Sequence, residues 1–584
     1  MKKKILLIYP EFPATYWSYK HTLSFVNKKT MMPPLGLLAI ASMLPEDYDI
    51  KLIDMNIAPL DAADIKNSDL VFISSMIVQK DSFENAVKLC NACGVPVVAG
   101  GPYPTSSFEK IEGVDYFILN EAEITLPMFL SDYEKGSAKK IYTDATKPDI
   151  TLTLLPRFDL IDVNDYMIMS LQFSRGCPFN CEFCDIIEMF GRTPRTKLPE
   201  QFIKEIDAVY NTGFRGPIFI VDDNFIGNKQ KVKILLKQII EWQVEHSFPF
   251  TIFTEASINI AADDELMDLM FRANFDMVFI GIETPDPTTL QAAYKNQNAV
   301  VDLLASVKKI QARGLEVCAG FIIGFDTDPE NIFDLQIDFI QKAGIPIAMI
   351  GLMMALPNTQ LHRRLQNENR LLHDTSGNNT HDLQVNFITR MPMDKIISGY
   401  KHVISELYSP EKYFERSFVL IKDLPKKSNW DKSLTWADIK ALLRSLVLQG
   451  FSRYSYIYFK FLFKTLRFNY KKFPKAVDLA IKGYHFFKIT GQLLASHQLS
   501  TAMEDSMNSF DERLANFHSD RSSPEAKIIS KHIIKSKKNM RRRYSNLSGD
   551  SKKHSMEQYL KFEKHCENSL LILNSGNEGI EILM

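Results

Sequence analysis

The chain has 584 residues, 45% of them apolar and 24% charged, too long for one hydrophobic core and expected to form about three or four globular domains. A formal net charge of -1 excludes a global field that would gather nucleic acid. No apolar run reaches the roughly 20 residues of a membrane span; the nearest, Ala343 to Leu356, is short and interrupted by Pro346.

Seven cysteines in this length make no disulfide framework, and three of them crowd into eight positions, which points to metal in a reducing, cytoplasmic compartment. The opening Met-Lys-Lys-Lys is followed by an apolar run too short for a signal peptide, so a first strand is expected. Strands are predicted at Ile5 to Tyr9, Ile50 to Ile53, Leu70 to Val78, Val95 to Ala99 and Tyr116 to Leu119. Helices at Leu35 to Leu44 and Asp81 to Cys93 alternate with them. That rhythm predicts an α/β fold, a doubly wound parallel sheet over residues 1–146. Its ligand crevice lies beyond the strand ends Ser74-Ser75, Gly100-Gly101 and Asn120-Glu121. No Gly-x-Gly-x-x-Gly follows the first strand, so a dinucleotide is not the favoured ligand.

A linker over 147–165 precedes a second alternation over 166–378, with strands at Leu171 to Ser174, Ile218 to Val221, Thr251 to Thr254, Met277 to Ile280, Val317 to Ile323 and Ala348 to Met354. Six strands with helices between them predict a partial (β/α)6 barrel. Polar groups end the strands (Arg175, Asp222-Asp223, Glu255, Glu283, Asp326, Asn358), and that edge is the catalytic one in barrels. Taken singly, each acid could equally cap the next helix.

Residues 379–500 read as a helical domain. Between Arg453 and Lys488 stand nine Lys or Arg and one acid, Asp478, interleaved with aromatic residues. An aromatic face packed on the barrel is the simpler reading, and peripheral contact with anionic lipid the alternative. Residues 501–584 read as a polar tail, partly helical or disordered, with a basic run from Lys535 to Arg543.

Phe173-Ser-Arg-Gly-Cys177-Pro-Phe-Asn-Cys181-Glu-Phe183-Cys184 places three thiols in a loop after a strand, spaced Cys-x3-Cys-x2-Cys. Thiolates suit zinc or iron–sulfur clusters. A structural zinc site needs four closed ligands, and no second Cys/His pair lies nearby. Three ligands on a cubane leave one iron open to a chelating small molecule. Cys90 and Cys93 have redox-dithiol spacing but fall at a helix end, where packing is the simpler role.

The cysteine loop resembles the signature of the radical S-adenosylmethionine (SAM) superfamily, with Phe183 at its aromatic position. The resemblance implies a [4Fe-4S] cluster on Cys177, Cys181 and Cys184, with SAM on the open iron and cleaved reductively to a 5'-deoxyadenosyl radical. It implies SAM contacts at Asp222 or Asp223, where the family's usual Gly-Gly-Glu is replaced, at Glu255 and Glu283, and along Gly320, Ile322 and Gly324. Met32-Pro-Pro-Leu-Gly36-Leu and Ala99-Gly100-Gly101-Pro-Tyr-Pro-Thr resemble the cobalamin-binding domain that precedes many such barrels. This implies cobalamin contacts at Gly36, Ser74, Ser75, Gly100, Gly101, Asn120 and Glu121. That domain's Asp-x-His-x-x-Gly is absent, and Tyr9-Pro-Glu-Phe-Pro13 stands in its place.

Pro10 to Ser18, Ala355 to Thr359, and Tyr408-Ser-Pro410 with Tyr413 and Arg416 resemble the subgroup that contains hopanoid C-2 methylases. The implied function is C-methylation of an unactivated carbon on a small-molecule or lipid-like substrate, with a reducing electron donor such as flavodoxin or ferredoxin. A radical cyclase or rearrangement enzyme without methyl transfer is one alternative. A non-catalytic cobalamin or metal sensor is the other.

Overall fold

The computed structural model describes residues 2–425, 436–517, 523–547 and 549–574. It divides into two compact units, Met1–Phe486 and Phe487–Met584.

The first unit begins with strands β1 (Lys4–Tyr9), β2 (Asp49–Asp54), β3 (Leu70–Ser74), β4 (Val97–Gly100), β5 (Tyr116–Ile118) and β6 (Ile141–Tyr142). They form one parallel sheet in the order β2-β1-β3-β4-β5-β6. Alternate residues of β1 enter opposite cores. Leu6 and Ile8 pack with Val71, Phe83 and Ala99, and Ile5 and Leu7 pack with Leu37, Phe72 and Phe129. Burial on both faces explains the unbroken apolar run that β1 shows in sequence.

Two local expectations change. β3 stops at Ser74, and Ile77–Gln79 is a 3-10 turn, because the Gln79 carboxamide accepts Met76 N–H at 2.9 Å and donates to the Pro10 carbonyl. The edge strand β6 is two residues long, too short to show a period. Just after the linker, Tyr166 donates its hydroxyl to Asp54 Oδ2 at 3.2 Å, so Asp54 at the end of β2 ties this sheet to the segment that leads into the second.

The second sheet comprises β7 (Met169–Leu171), β10 (Pro217–Ile220), β11 (Thr251–Glu255), β12 (Phe275–Glu283), β13 (Glu316–Ile323) and β14 (Ala348–Leu352). All neighbours are parallel, in the order β14-β13-β12-β11-β10-β7. This is an open, six-stranded partial (β/α) barrel. Ile218, Ile220, Val278, Ile280 and Val317 are buried, whereas the alternating Phe219, Phe253 and Phe279 are partly exposed. Phe219 and Phe253 stack at 4.7 Å.

The first strand of this sheet is shifted from its expected place. β7 ends at Leu171, and Ser174–Arg175 forms instead a short antiparallel pair (β8) with Arg195–Thr196 (β9). The cause is Asp222, whose carboxylate takes Phe173 N–H at 2.7 Å and Ser174 O–H at 2.6 Å and turns the chain out of the sheet.

Among the described residues nothing after β14 forms a named strand. Helices Met393–Leu407 and Pro410–Asp423 close the β14 edge. Tyr408 donates to the Ala348 carbonyl, and Tyr400 donates to Ile350 O at 3.3 Å and Thr380 O at 2.7 Å. Arg416, fully buried, donates to the carbonyls of Ile345 (2.9 Å), Pro346 (3.0 Å) and Leu407. These contacts satisfy carbonyls that a buried sheet margin would otherwise leave orphaned.

In the second unit, the end of helix Phe473–Ala515 and helices Pro524–Ser545 and Gly549–Asn574 share a core of Leu499, Met503, Phe510, Ile533, Met540, Phe562 and Cys566. The described part of the expected tail is therefore folded. Its basic run lies on a helix whose other face buries Ile529, Ile533 and Met540. Residues 518–522, 548 and 575–584 of that expectation lie outside the described residues.

Candidate functional site

The cysteine loop leaves the barrel at the carboxyl edge of its strands. Gly176 has φ +93, and a Cβ there would come within 2.9 Å of Gly191 O, so the loop passes where only glycine fits. Cys177 is fixed by its N–H on Gly191 O at 3.2 Å. All three thiols are free. Burial, the largest effect at each, pushes their pKa values up. Cys181 raises Cys177, and Cys181 and Cys177 both raise Cys184. The three thiols are near enough to one another to interact electrostatically.

Asn224 Nδ2 lies 3.9 Å from Cys177 Sγ, and Gln297 Nε2 lies 3.8 Å from Cys181 Sγ. Such N–H groups favour the thiolate form and tune a cluster held on it. Among the described residues no three His, Cys, Asp or Glu side chains form a site for a single metal ion. A cubane takes one thiolate per iron, so its ligands need not converge on one point. The donor set fits such a cluster.

Acids surround the loop. Burial, together with the charges of Asp223, Glu283 and Asp222, pushes Glu255 up to about 8. Burial also takes Asp223 up to about 6, and Gly176 N–H donates to its Oδ2 at 3.1 Å. Glu283 stands at φ +64 and pairs with Lys295, whose ammonium lies 5.7 Å from the Phe183 ring centroid. Phe183 meets Phe325 edge-on at 5.9 Å.

Gly320 lies under Phe279: a Cβ there would come 3.1 Å from Phe279 Cζ and 3.8 Å from Glu283 Oε2. Ile322, two residues on, is likewise partly exposed, and Gly324 N–H is spent on Asp328 Oδ2 at 2.8 Å. This edge of the barrel thus carries more carboxyls than cations, with Asp223, Glu255 and Glu283 against Lys295. A ligand carrying an ammonium and a sulfonium group suits that imbalance, so these residues fit SAM. Asp222 is a correction. Both its oxygens serve Phe173 and Ser174, which leaves Asp223 as the acid open to a ligand.

On the first sheet, Ser74, Ser75, Gly100 and Gly101 meet at the ends of β3 and β4. Ser75 Oγ is buried without a hydrogen-bond partner among the described residues. Gly101 has φ +91, and a Cβ there would reach 2.5 Å from Ser74 Oγ. A cradle lined by bare backbone and an orphaned hydroxyl fits the polar tail of a cobalamin.

Three other expected contacts stand differently. Gly36 lies exposed in helix Leu35–Met43, within the helix expected there, and a Cβ on it would meet nothing within 4 Å. Asn120 donates its amide to Thr143 Oγ1 and the Asp144 carbonyl, both at 3.0 Å. Glu121 is an ion-pair node, with Oε2 2.7 Å from Arg175 Nη1 and Oε1 2.7 Å from Arg195 Nη2. Arg175 also pairs with Glu123 at 2.8 Å. These partly buried pairs join the segment after β5 to the start of the cysteine loop and to β9.

The Pro10–Ser18 segment leaves β1 and stacks Tyr16 on Tyr408 at 5.5 Å and on Phe486 at 6.0 Å. Trp17 packs against Phe279 at 5.1 Å. Sequence reasoning missed Lys295, Gln297, Glu123, Arg195 and Arg364. Glu123 stands two residues past the singled-out Asn120-Glu121, and the others lie outside the motifs and carry no pattern of their own; Asn224 adjoins Asp222-Asp223.

Comparison with known proteins agrees with this geometry. Residues 25–130 match the B12 binding domain, 171–358 the Radical SAM superfamily, and 359–498 a domain of unknown function, DUF4070. An uncharacterised methyltransferase of Synechocystis sp. is 43% identical over 83% of this chain and 91% of its own length. The hopanoid C-2 methylase of Rhodopseudomonas palustris is 35% identical over 71% of this chain and 78% of its own. The solved structure of the radical SAM methyltransferase TsrM from Kitasatospora setae, with cobalamin and a [4Fe-4S] cluster bound, superposes with a TM-score of 0.57 at 13% identity. It covers 83% of this chain and 99% of that one, a likeness of fold. The chain belongs to the family of cobalamin-dependent radical SAM methyltransferases that includes the hopanoid C-2 methylase.

Proposed function

We propose that this protein methylates an unactivated carbon of a small-molecule or lipid-like substrate, using a [4Fe-4S] cluster on Cys177, Cys181 and Cys184, SAM beside Asp223, Glu255 and Glu283, and cobalamin in the Ser75–Gly101 cradle. The observation that carries this reading is the cysteine loop itself, whose three free thiols share one barrel edge with Asp223, Glu255 and Glu283. When bound, the cofactors supply reductive cleavage of SAM and a transferable methyl group.

The chain's own residues position and enclose these groups. Glu255, neutral in much of its population near pH 7, accepts an ammonium ligand and then ionises. Lys295 holds Glu283 in place. Glu121, Glu123, Arg175 and Arg195 keep the two halves of the site together and help exclude water from it. Electrons come from a reductant such as flavodoxin or ferredoxin.

Peripheral membrane contact belongs to this reading. In helix Ser455–Phe468, Tyr458 and Phe461 are buried, but Tyr456 is 76% and Phe463 69% exposed. Phe451, just before it, is 90% exposed. Arg453, Lys460 and Arg467 lie exposed among them. The packing expectation thus accounts for two of the six aromatic residues of this helix, Tyr458 and Phe461. Among the described residues no helix is long and apolar enough to cross a membrane, so the surface fits a cytoplasmic protein that rests on anionic lipid, with each cation adding about 1 kcal/mol. Co-sedimentation with anionic and neutral vesicles tests this. The Phe451→Ser/Phe463→Ser variant is expected to lose binding, and equal retention of wild type and variant would remove the membrane contact.

For the chemistry, the cluster-loaded, cobalamin-supplemented protein is incubated without oxygen with reductant, a bacterial lipid extract and SAM deuterated in its methyl group. The reading expects 5'-deoxyadenosine and a lipid that carries the label. 5'-Deoxyadenosine without labelled product favours a radical rearrangement, and neither product ends the proposal.

A further inference from the structure

We propose that helix Gln360–Asn367 is a latch on the cysteine loop, with Arg364 as its positioning residue. The proposal rests on the reading that the three cysteines carry an iron–sulfur cluster. Glu182 stands between Cys181 and Cys184 and is held at three points. Its N–H donates to Ala293 O at 3.2 Å, and its carbonyl accepts Leu361 N–H at 2.8 Å. Its carboxylate takes Arg364 Nε at 3.1 Å and Nη2 at 3.0 Å, the paired geometry that fixes both distance and orientation.

Neighbouring residues extend the grip. Gln360 Nε2 donates to Asn180 Oδ1 at 2.9 Å, and Arg363 Nη2 donates to Glu188 Oε1 at 2.7 Å. One helical turn therefore bonds the loop before Cys181, after it, and beyond Cys184. The helix is itself anchored. Leu361 and Leu365 are buried, Thr359 Oγ1 accepts His362 N–H at 3.1 Å, and Arg364 Nη1 reaches Asp326 Oδ2 at 2.9 Å. Asp326 follows β13 and also binds Arg370. The residues matched to the domain of unknown function begin at this helix, so holding the cluster loop is one task of that domain.

Arg364 does two separable things. It sets the spacing of Cys181 and Cys184 through the residue between them, and it neutralises a carboxylate adjacent to a cluster ligand. Net charge beside a cluster moves its reduction potential. A cavity of about 510 Å³, lined in part by Glu182, Phe325, Gln360 and Arg364, flanks the latch. Shortening the arginine would enlarge it toward the loop.

The test uses full-length protein, reconstituted with iron and sulfide without oxygen, as wild type, R364Q, R364K, E182Q and the R364Q/E182Q double variant. Iron release to a chelator is expected to be about 10-fold faster or more in R364Q, as for lost outer-shell partners of metal ligands. R364K should recover part of the difference. The midpoint potential of R364Q should fall, because Glu182 is left uncompensated. In the double variant the potential should return toward wild type while iron release stays fast, a pattern that general instability cannot produce. Wild-type release rate and potential in R364Q overturn the latch. If R364Q does not fold, E182Q carries the test, with faster release and a raised potential expected and wild-type values overturning it. Wild type that binds no cluster sinks the underlying reading instead.

Discussion

Replacing Asp222 by alanine is expected to free the cysteine loop from the barrel. The carboxylate is 1% exposed and is the acceptor for Phe173 N–H and Ser174 O–H. Each orphaned buried donor costs about 1–3 kcal/mol, so alanine should weaken the loop's attachment by about 2–6 kcal/mol. Asparagine keeps one carbonyl for Phe173 and lets the Ser174 hydroxyl turn to accept, at a cost of about 1 kcal/mol.

The pH dependence has a definite sign. Burial, opposed by the bonds from Ser174 and Phe173, pushes Asp222 from 3.8 up to about 7. The folded state therefore binds this proton more tightly than the unfolded chain, and the group's contribution is fully present below 3.8 and lost as pH rises through about 7. Asparagine lacks that dependence, so its deficit against wild type should shrink from pH 5 to pH 8. The assay is urea-driven loss of the visible absorbance of the reconstituted cluster, which follows the barrel instead of the whole multidomain chain. An alanine variant with the wild-type midpoint and iron content would refute the argument that Asp222 shapes the loop.

Glu255→Gln should leave the melting temperature of the cofactor-free protein unchanged below pH 4.5 and raise it near pH 9, since burial has pushed the Glu255 pKa from 4.5 up to about 8 and ionisation then costs stability; differential scanning calorimetry at the two pH values decides. Gly101→Ala places a methyl group against Ser74 Oγ at φ +91, so cobalamin retention on gel filtration should fall at least about tenfold, as for a misfilled polar cradle. Glu121→Ala leaves the partly buried guanidiniums of Arg175 and Arg195 short of a partner and should destabilise the first unit by about 1–3 kcal/mol in chemical unfolding. Arg416→Ala orphans three buried carbonyls at the β14 edge and should lower expression and melting temperature while Arg416→Lys restores little, because only the planar fork reaches all three.

Most strand positions, the cysteine loop and the acids at the barrel edge were legible because each is local: an apolar run, a fixed spacing, a polar residue where a strand stops. Burial of β1 on both faces and the Cys-x3-Cys-x2-Cys spacing needed no knowledge of distant residues. What escaped was set by contacts across the chain. Asp222 read as a ligand contact, yet its partners 48 and 49 residues away spend both oxygens. Glu121 read as part of a crevice, but arginines 54 and 74 residues on claim it. The aromatic, basic helices after residue 436 showed their composition in the sequence, not which rings face inward, since Tyr458 and Phe459 are adjacent and only the first is buried. The folded end of the chain was hidden because its helices are polar overall and bury one narrow stripe.

The central claim is that Cys177, Cys181 and Cys184 together hold the group that cleaves SAM. Each is changed singly to alanine, and the reconstituted proteins are assayed for iron and for 5'-deoxyadenosine under dithionite. Wild type should carry about four irons per chain and form the nucleoside, while every variant loses nucleoside formation. Undiminished 5'-deoxyadenosine from any one of the three would contradict the account.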